Sequence, residues 1–294
     1  MEETVHIPVL SRQVLELLDP QPGQIVVDAT LGGAGHACLL AEKIGSTGRL
    51  IGLDRDASAI PRALKKLELI ANKPRLDLVH ANFDRLRQTL DELQIDRVDA
   101  VLADLGFSSD QMDSAERGLS FQRVGPLDMR LDSSEDQTAA DIIASWTERD
   151  LADLFYHLGE ERHSRRVARK IVAVRDETPI TTTTQLADLV RSCVPRFKGG
   201  IDPATRVFQA LRIGVNDELG ALKRLLAALP GCLRHGGKAA IISFHSLEDR
   251  IVKWAFREST TWEILTKKPV EASAEEEAAN PRSRSAKLRV AKLV

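Results

Sequence analysis

The stretch Ile25-Val-Val-Asp-Ala-Thr-Leu-Gly-Gly-Ala-Gly-His36 decides the fold of this 294-residue chain. It begins with a β-branched apolar run, which is typical of a buried parallel strand. The glycines predict a tight turn into a helix whose apolar face carries Leu39, Leu40 and Ile44. Strand, glycine turn and helix together form a cradle in which backbone N–H groups and the positive helix end face an anionic group.

The same alternation of apolar runs and amphipathic stretches continues through the first hundred residues. Further buried strands are predicted at residues 49–54, 76–80 and 98–104, and helices at residues 58–69 and 86–93. Strands and helices that alternate at this spacing predict an α/β fold with a doubly wound parallel sheet and right-handed crossovers.

The alternation stops after the fourth strand, and the next buried strand is predicted only at residues 238–244. The gap is far longer than one crossover helix needs, and it carries helical periodicity of its own. We therefore predict a helical insert between strands four and five at residues 111–204, flanked by the two parts of a cofactor-binding domain at 1–110 and 205–294. The second part is expected to contain a strand near 262–265 and to finish in a basic tail that forms an edge strand.

Composition limits the function classes. The formal net charge of −2 gives no overall basic field, so contacts with a nucleic acid need local patches. The cysteines Cys38, Cys193 and Cys232 lack the spacing of a metal site and indicate a reducing compartment. The first residues do not look like a signal peptide, and no apolar run approaches the roughly 20 residues that span a bilayer. We expect a cytoplasmic protein without a membrane segment or a metal.

Three side chains follow predicted strands at the edge where open α/β sheets bind ligands. Asp54 is placed to accept hydrogen bonds from ribose hydroxyls, and Phe83 to lie against an adenine. Asp104 would face the far end of the ligand or a second substrate. Dinucleotides and S-adenosylmethionine both use such a site, and Asp54 and Phe83 could also be a strand-terminal cap and a core aromatic.

Motifs in a fixed order along nearly the whole chain resemble one family, the ribosomal RNA small subunit methyltransferase H group, also called the MraW family. The residues that carry the resemblance are His6-Ile-Pro-Val-Leu10, Asp28-Ala-Thr-Leu-Gly-Gly-Ala-Gly-His36, Leu53-Asp-Arg-Asp56, Asp104-Leu-Gly-Phe-Ser-Ser109, Arg117-Gly-Leu-Ser-Phe-Gln122, Gly125-Pro-Leu-Asp-Met-Arg130, Glu161-Arg162, Pro203-Ala-Thr-Arg-Val-Phe-Gln-Ala210, Ile242-Ser-Phe-His-Ser-Leu-Glu-Asp-Arg250 and Asn280-Pro-Arg-Ser-Arg-Ser285.

The resemblance implies a Rossmann-like class I methyltransferase that uses S-adenosyl-L-methionine to methylate N4 of a cytidine in 16S rRNA, at position 1402 in the usual rRNA numbering. It also implies the residues of the cofactor site, which are Ala34, Gly35, His36, Asp54, Phe83, Asp104 and Gln111. The chain departs from the family pattern at Ala34, where glycine is usual, and at Asp202, where histidine is usual.

Transfer of a methyl group to an exocyclic amine needs close positioning and an acceptor for the amine hydrogens, and no metal. Asp104 is the predicted catalytic acceptor. Phe107 is predicted to stack on an extruded base, or else to be buried under the loop. His245 is predicted to shuttle the released proton, or else to brace its loop in a network with Glu248 and Arg250.

Two groups of cations are candidates for phosphate contacts, although each could also be an ordinary solvated face. They are Arg162, Arg165, Arg166, Arg169 and Lys170 in the insert, and Arg282, Arg284, Lys287, Arg289 and Lys292 in the tail. The expected partner is 16S rRNA in the small ribosomal subunit, and the sequence leaves the oligomeric state open, a homodimer included.

The sequence leaves three alternative functions open. They are a nucleotide-dependent dehydrogenase, an RNA-binding ribosome-assembly factor without catalysis, and a methyltransferase that acts on small molecules or proteins.

Overall fold

The computed structural model describes residues 8–107, 111–112, 114–195 and 201–294. These residues form two compact units, one from residue 8 to Gly106 with Leu219–Val294 and the other within Phe107–Glu218. Two of the motifs above are partly outside the described residues, because His6 and Ile7 of the first motif and Ser108 and Ser109 of the Asp104 motif are not among them.

The first unit is built on a seven-stranded sheet in the order β3-β2-β1-β4-β5-β7-β6. The strands are β1 (Ile25–Asp28), β2 (Arg49–Asp54), β3 (Arg75–His80), β4 (Val98–Asp104), β5 (Leu233–Ser243), β6 (Trp262–Ile264) and β7 (Lys287–Leu293). Strands β1 to β5 are parallel to one another, and β7 is antiparallel to both β5 and β6. This confirms the predicted Rossmann-like α/β fold, in which the chain winds outward in both directions from β1.

The predicted edge strand of the tail was wrong. Strand β7 pairs on one side with β5, where Lys238 is opposite Lys292, and on the other with β6, where Trp262 is opposite Leu293. The short β6 therefore forms the edge. The physical reason is that residues 287–293 are largely buried on both faces, which suits an interior strand and not an exposed one.

The helices, in chain order, are α1 (Ser11–Leu18), α2 (Gly35–Ile44), α3 (Ala59–Leu67), α4 (Leu86–Glu92), α5 (Ala139–Ser145), α6 (Glu148–Gly159), α7 (Ser164–Arg175), α8 (Thr183–Cys193), α9 (Ala204–Asn216), α10 (Glu218–Cys232), α11 (Ser246–Arg257) and α12 (Ala274–Ala279). Two apolar clusters cover the two faces of the sheet. One contains Val27 and Ile51, and the other contains Val26 and Leu50, as the alternation of side chains along β1 and β2 requires. No helix among the described residues is both long and apolar enough to cross a bilayer.

The second unit is helical and has its own core, which contains the fully buried Phe155. Helices α5 to α9 belong to it. We expected the second part of the cofactor-binding domain to begin at residue 205, but α9 lies in the helical unit. The reason is close packing of α9 on α6, because a Cβ atom at Gly159 would lie only 2.4 Å from the carbonyl oxygen of Arg206.

Candidate active site at the carboxyl edge of the sheet

Three carboxylates end three adjacent strands of the sheet. Asp28 ends β1, Asp54 ends β2 and Asp104 ends β4. Because β2, β1 and β4 are neighbours and parallel, their carboxyl ends meet at one edge. This edge lies at the point where the strand order reverses, which is where open α/β sheets bind ligands.

The Asp54 carboxylate is held in place by two backbone donors. Its Oδ2 accepts a hydrogen bond from Gly32 N at 2.6 Å, and its Oδ1 accepts one from Asp56 N at 2.8 Å. Burial raises the pKa of Asp54 above its ordinary value, although both hydrogen bonds oppose the shift. Each carboxylate oxygen still has a lone pair, so Asp54 can accept hydrogen bonds from a pair of hydroxyls as predicted.

The glycine turn lies beside Asp54 and takes a left-handed backbone. Gly32 has φ +48°, and Ala34, the residue before α2, has φ +63°. An alanine in this region costs about 1–2 kcal/mol more than a right-handed conformation. Ala34 therefore adopts the left-handed conformation that glycine would take at this position, and the backbone is strained as a result. Gly35 starts α2 and faces Pro8, whose ring would lie 3.1–3.2 Å from a Cβ atom there.

Asp104 combines an anchored backbone with an unsatisfied carboxylate. Its N–H donates to Thr30 Oγ1 at 2.6 Å, and its Oδ2 lies 3.6 Å from His36 Nε2. The Oδ1 atom is closed off from solvent and has no hydrogen-bond partner among the described residues. Burial, together with the charges of Asp28 and Glu248, raises the pKa of Asp104 to about 8. Asp104 is therefore much more basic than an exposed aspartate.

Asp28 is a site residue to which sequence reasoning assigned no role. It is fully buried, and its Oδ1 accepts a weak hydrogen bond from Thr30 N at 3.2 Å. Its Oδ2 has no partner within the described part of the chain. Burial raises the pKa of Asp28 to about 7. The signal was present in the sequence, because an acid that ends a buried apolar strand directly before a glycine turn must lie at the ligand edge.

The remaining predicted cofactor residues lie in different units. Phe83 follows β3 and packs, half-buried, on the sheet-face cluster that contains Val27 and Leu53. Gln111 is half-buried and belongs to the helical unit. Phe107 also belongs to that unit, where its ring packs on the helical core and the guanidinium carbon of Arg212 lies 4.7 Å from the ring centroid.

His245 is the N-cap of α11. Its Nδ1 accepts a long hydrogen bond from Glu248 N at 3.5 Å, and Glu248 Oε2 accepts from the N–H groups of Phe244 and His245. Its Nε2 lies 3.2 Å from Glu248 Oε1. This is a capping box, in which side chains at the start of a helix satisfy backbone donors in both directions. The arrangement gives His245 a bracing role, and proton transfer by His245 stays a prediction.

The predicted phosphate contacts differ between the two groups of cations. The five cations at residues 162–170 in and next to α7 are all exposed, and Arg169 Nε lies 3.5 Å from Glu148 Oε1 in an ion pair. In the tail, Arg289 is buried and forms a bidentate ion pair with Asp249 at 2.7 and 3.1 Å. Lys292 is paired with Glu263. Arg289 was therefore wrongly assigned to a phosphate surface, because it is buried and neutralises an acid within the sheet unit. A phosphate contact by Lys292 stays a prediction.

The fold and the site define a class of protein. A row of buried and half-buried carboxylates at the carboxyl edge of a Rossmann-like sheet, beside a left-handed glycine turn, is typical of α/β proteins that bind nucleoside-containing cofactors. The profile of the MraW methylase family matches residues 3–294. The chain belongs to this family.

Relatives support the assignment over the full length. A protein of Deinococcus deserti is 49% identical over 293 residues, which cover 100% of this chain and 95% of that one. A protein of Geobacter sp. is 46% identical over 310 residues, with 99% of each chain covered. A protein of Synechocystis sp. is 48% identical over 294 residues, covering 98% of this chain and 93% of that one. Each carries the name ribosomal RNA small subunit methyltransferase H.

Proposed function

We propose that this chain transfers a methyl group from S-adenosylmethionine to the exocyclic N4 of a cytidine in 16S rRNA, at position 1402 in the usual numbering. Membership of the MraW methylase family and the name shared by its relatives support the reaction class and the ribosomal substrate. One structural observation carries the proposal. Asp28 and Asp104 present unsatisfied carboxylate oxygens at the ends of adjacent strands.

The residues at the edge fit a cationic nucleoside. Two buried carboxylate oxygens without partners among the described residues need donors or a positive charge, and Asp54 offers acceptors for hydroxyl groups. When bound, S-adenosylmethionine supplies an electrophilic methyl group on a positively charged sulfur. The residues proposed to hold it are Ala34, Gly35, His36, Asp54, Phe83, Asp104 and Gln111. We add Asp28 to the proposal because its buried Oδ2 has no partner among the described residues.

Asp104 is proposed to act on the acceptor amine. The N4 lone pair of cytosine is delocalised into the ring, so the amine is a poor nucleophile that must be positioned and hydrogen-bonded. In its ionised form, Asp104 would accept a hydrogen bond from the amine and then the proton that methylation releases. Its pKa of about 8 makes it a stronger base than an ordinary aspartate, close to the optimum for proton transfer at neutral pH.

The helical unit is proposed to hold the RNA. Arg162, Arg165 and Arg166 are exposed together with two further cations on the same stretch of α7. Exposed cations in a row neutralise phosphates and release their counterions, which gives affinity without reading sequence. Phe107 remains a candidate for stacking on the extruded base, although one side of its ring already faces Arg212. A ribosomal substrate also implies that the protein works in the cytoplasm.

The dehydrogenase alternative would need the Ser243-Phe-His-Ser246 loop for hydride chemistry, since no other residue set in the sequence suggests it. His245 of this loop caps α11, which favours a bracing role for the loop. An assembly factor without catalysis differs from the proposal in one respect, which is whether methyl transfer takes place.

The test is methyl transfer to small-subunit rRNA followed by nucleoside mass spectrometry. The purified chain should convert one cytidine to N4-methylcytidine, and Asp104→Ala should lose at least 100-fold in rate at saturating cofactor, the order of magnitude for loss of a key polar group. Asp96→Ala is the matched control, since Asp96 is exposed two residues before β4. Methylation of a different base, or near wild-type activity of Asp104→Ala, would contradict the proposal.

A further inference from the structure

Helix α11 has two contrasting faces. Val252 and Phe256 are buried, and Phe256 packs against Trp262 of β6 at 5.3 Å between ring centroids. The opposite face carries Arg250, Lys253, Trp254 and Arg257, which fall together at i, i+3, i+4 and i+7 spacing. This outer face is not explained by the packing of the sheet unit.

Trp254 is the unusual member of this face. Its side chain is 47% exposed, although tryptophan is highly buried on average. Lys253 Nζ lies 5.1 Å from the centroid of its ring, within the range of a cation–π contact. A large aromatic surface that is held next to a cation and open to solvent is suited to contact with another planar ring.

More cations lie beside the same helix. Arg257 Nη2 donates to the carbonyl oxygen of Lys267 at 3.2 Å, which fixes the exposed Lys267 and Lys268 next to the end of α11. We call Arg250, Lys253, Trp254, Arg257, Lys267 and Lys268 the Trp254 face.

The acids next to this face are partly engaged elsewhere. Asp249 is engaged by the buried Arg289, and Glu248 is buried in the capping box. Glu258, just after the helix, and Glu271, after Lys268, are exposed acids. Five cations lie on or next to the helix that carries the exposed indole, in a chain whose formal net charge is −2.

We propose that the Trp254 face is a second RNA-binding surface, where an unpaired base stacks on Trp254 and the flanking phosphates contact the cations. RNA offers both features that this face needs, since its backbone is anionic and its unpaired bases expose planar rings. An acidic peptide would use the cations but leave the indole without a planar partner. The inference rests on the proposed function for the nature of the partner, and it lies outside the cations of α7 and of the tail.

The test measures binding of the full chain to a single-stranded oligoribonucleotide and to small-subunit rRNA by fluorescence anisotropy. Trp254→Ala should weaken binding by roughly 5- to 150-fold, the range for loss of one base–aromatic stack. Trp254→Phe should keep most of the affinity, because a phenyl ring still stacks. Leu69→Ala is the matched control, since Leu69 is an 85% exposed apolar side chain after α3.

Two further measurements separate stacking from simple charge. Lys253→Glu should weaken binding and lower its salt dependence, while polyglutamate should compete poorly with RNA. Unchanged affinity of Trp254→Ala, equal loss in Trp254→Phe, or efficient competition by polyglutamate would each overturn the inference. Thermal unfolding checks that every variant is folded. If wild-type protein methylates rRNA while the Trp254 variants bind normally, only this inference fails; if wild-type protein neither binds nor methylates rRNA, the proposed function fails.

Discussion

His36 Nε2 lies 3.6 Å from Asp104 Oδ2, so an imidazole at the start of α2 faces the carboxylate that ends β4. Both side chains are largely shielded from water, which strengthens their interaction relative to an exposed pair. The glycine turn and the proposed catalytic carboxylate are therefore linked by a side-chain contact as well as by the sheet.

Replacing His36 should shift the pH dependence of methyl transfer. An imidazole this close to Asp104 favours the ionised carboxylate when it donates a proton or carries charge, so His36→Ala should raise the pKa of Asp104. The activity would then rise at higher pH than in the wild type. The pH profile of kcat measures this, with His235→Ala as the control because His235 is exposed. An unshifted profile would refute the link.

Asp28 should make the unliganded protein less stable as the pH rises. Its folded pKa of about 7 exceeds the ordinary value of 3.8, so the folded state binds the proton more tightly than the unfolded state. Stability is therefore lost as the pH rises from about 4 to about 7 and stays reduced above that. Asp28→Asn removes the buried charge and should raise the free energy of unfolding at pH 8 by about 1–3 kcal/mol, with little effect at pH 4.

Thermal or denaturant unfolding at the two pH values measures this difference. Asp96→Asn is the control, because Asp96 is exposed and its replacement should have no comparable pH-dependent effect. If Asp28→Asn were equally destabilising at both pH values, burial of an unfavourable charge would not be the cause. The same variant should bind S-adenosylmethionine more weakly, since it loses a carboxylate at the ligand edge.

Binding of the cofactor should release protons. Asp28 and Asp104 have pKa values of about 7 and about 8, and a positive charge placed next to them would lower both. Affinity for S-adenosylmethionine should therefore increase between pH 6 and pH 8. Calorimetry in two buffers of different ionisation enthalpy counts the protons. S-adenosylhomocysteine, which lacks the sulfonium charge, should release fewer, and equal release by the two ligands would contradict the expectation.

Charge reversal on α7 should affect RNA and not the cofactor. Arg166→Glu with Arg169→Glu removes two exposed cations, so the slope of log affinity for rRNA against log salt should decrease by about 2. Affinity for S-adenosylmethionine should be unchanged by calorimetry. The control is Arg12→Glu with Lys65→Glu, which makes the same change of charge at exposed positions on α1 and α3. If RNA affinity and cofactor affinity fell equally, the α7 cations would not be a specific RNA-binding surface.

Arg289 should matter for stability and not for RNA. Its buried ion pair with Asp249 leaves an uncompensated carboxylate when the arginine is removed, so Arg289→Met should cost about 3–5 kcal/mol of unfolding free energy. Arg289→Met with Asp249→Leu should recover much of that loss. Arg284→Met, an exposed tail cation, should leave stability unchanged. If folded Arg289→Met lost RNA affinity without losing stability, Arg289 would be an RNA contact and not a stabilising ion pair.

The local pattern of the sequence predicted most of the sheet. Strands β2 and β4 have the predicted bounds, because an apolar run between turn signals indicates where a buried strand begins and ends. The sequence of the tail does not indicate which strands pair with it. The sequence of residues 287–293 predicts a strand but not its position between β5 and β6, since pairing order depends on contacts distant in the chain.

The sequence by itself determined the fold class, the family and the acids that end the strands, because each follows from residue types at fixed spacing. Only the tertiary structure decided which polar groups lack partners and which are already engaged. It left oxygens of Asp28 and Asp104 unsatisfied, while it engaged Arg289 in an ion pair and His245 in a helix cap. The physical reason is that hydrogen-bond satisfaction and burial depend on which distant residues meet in space, and that information is not contained in any local stretch of the chain.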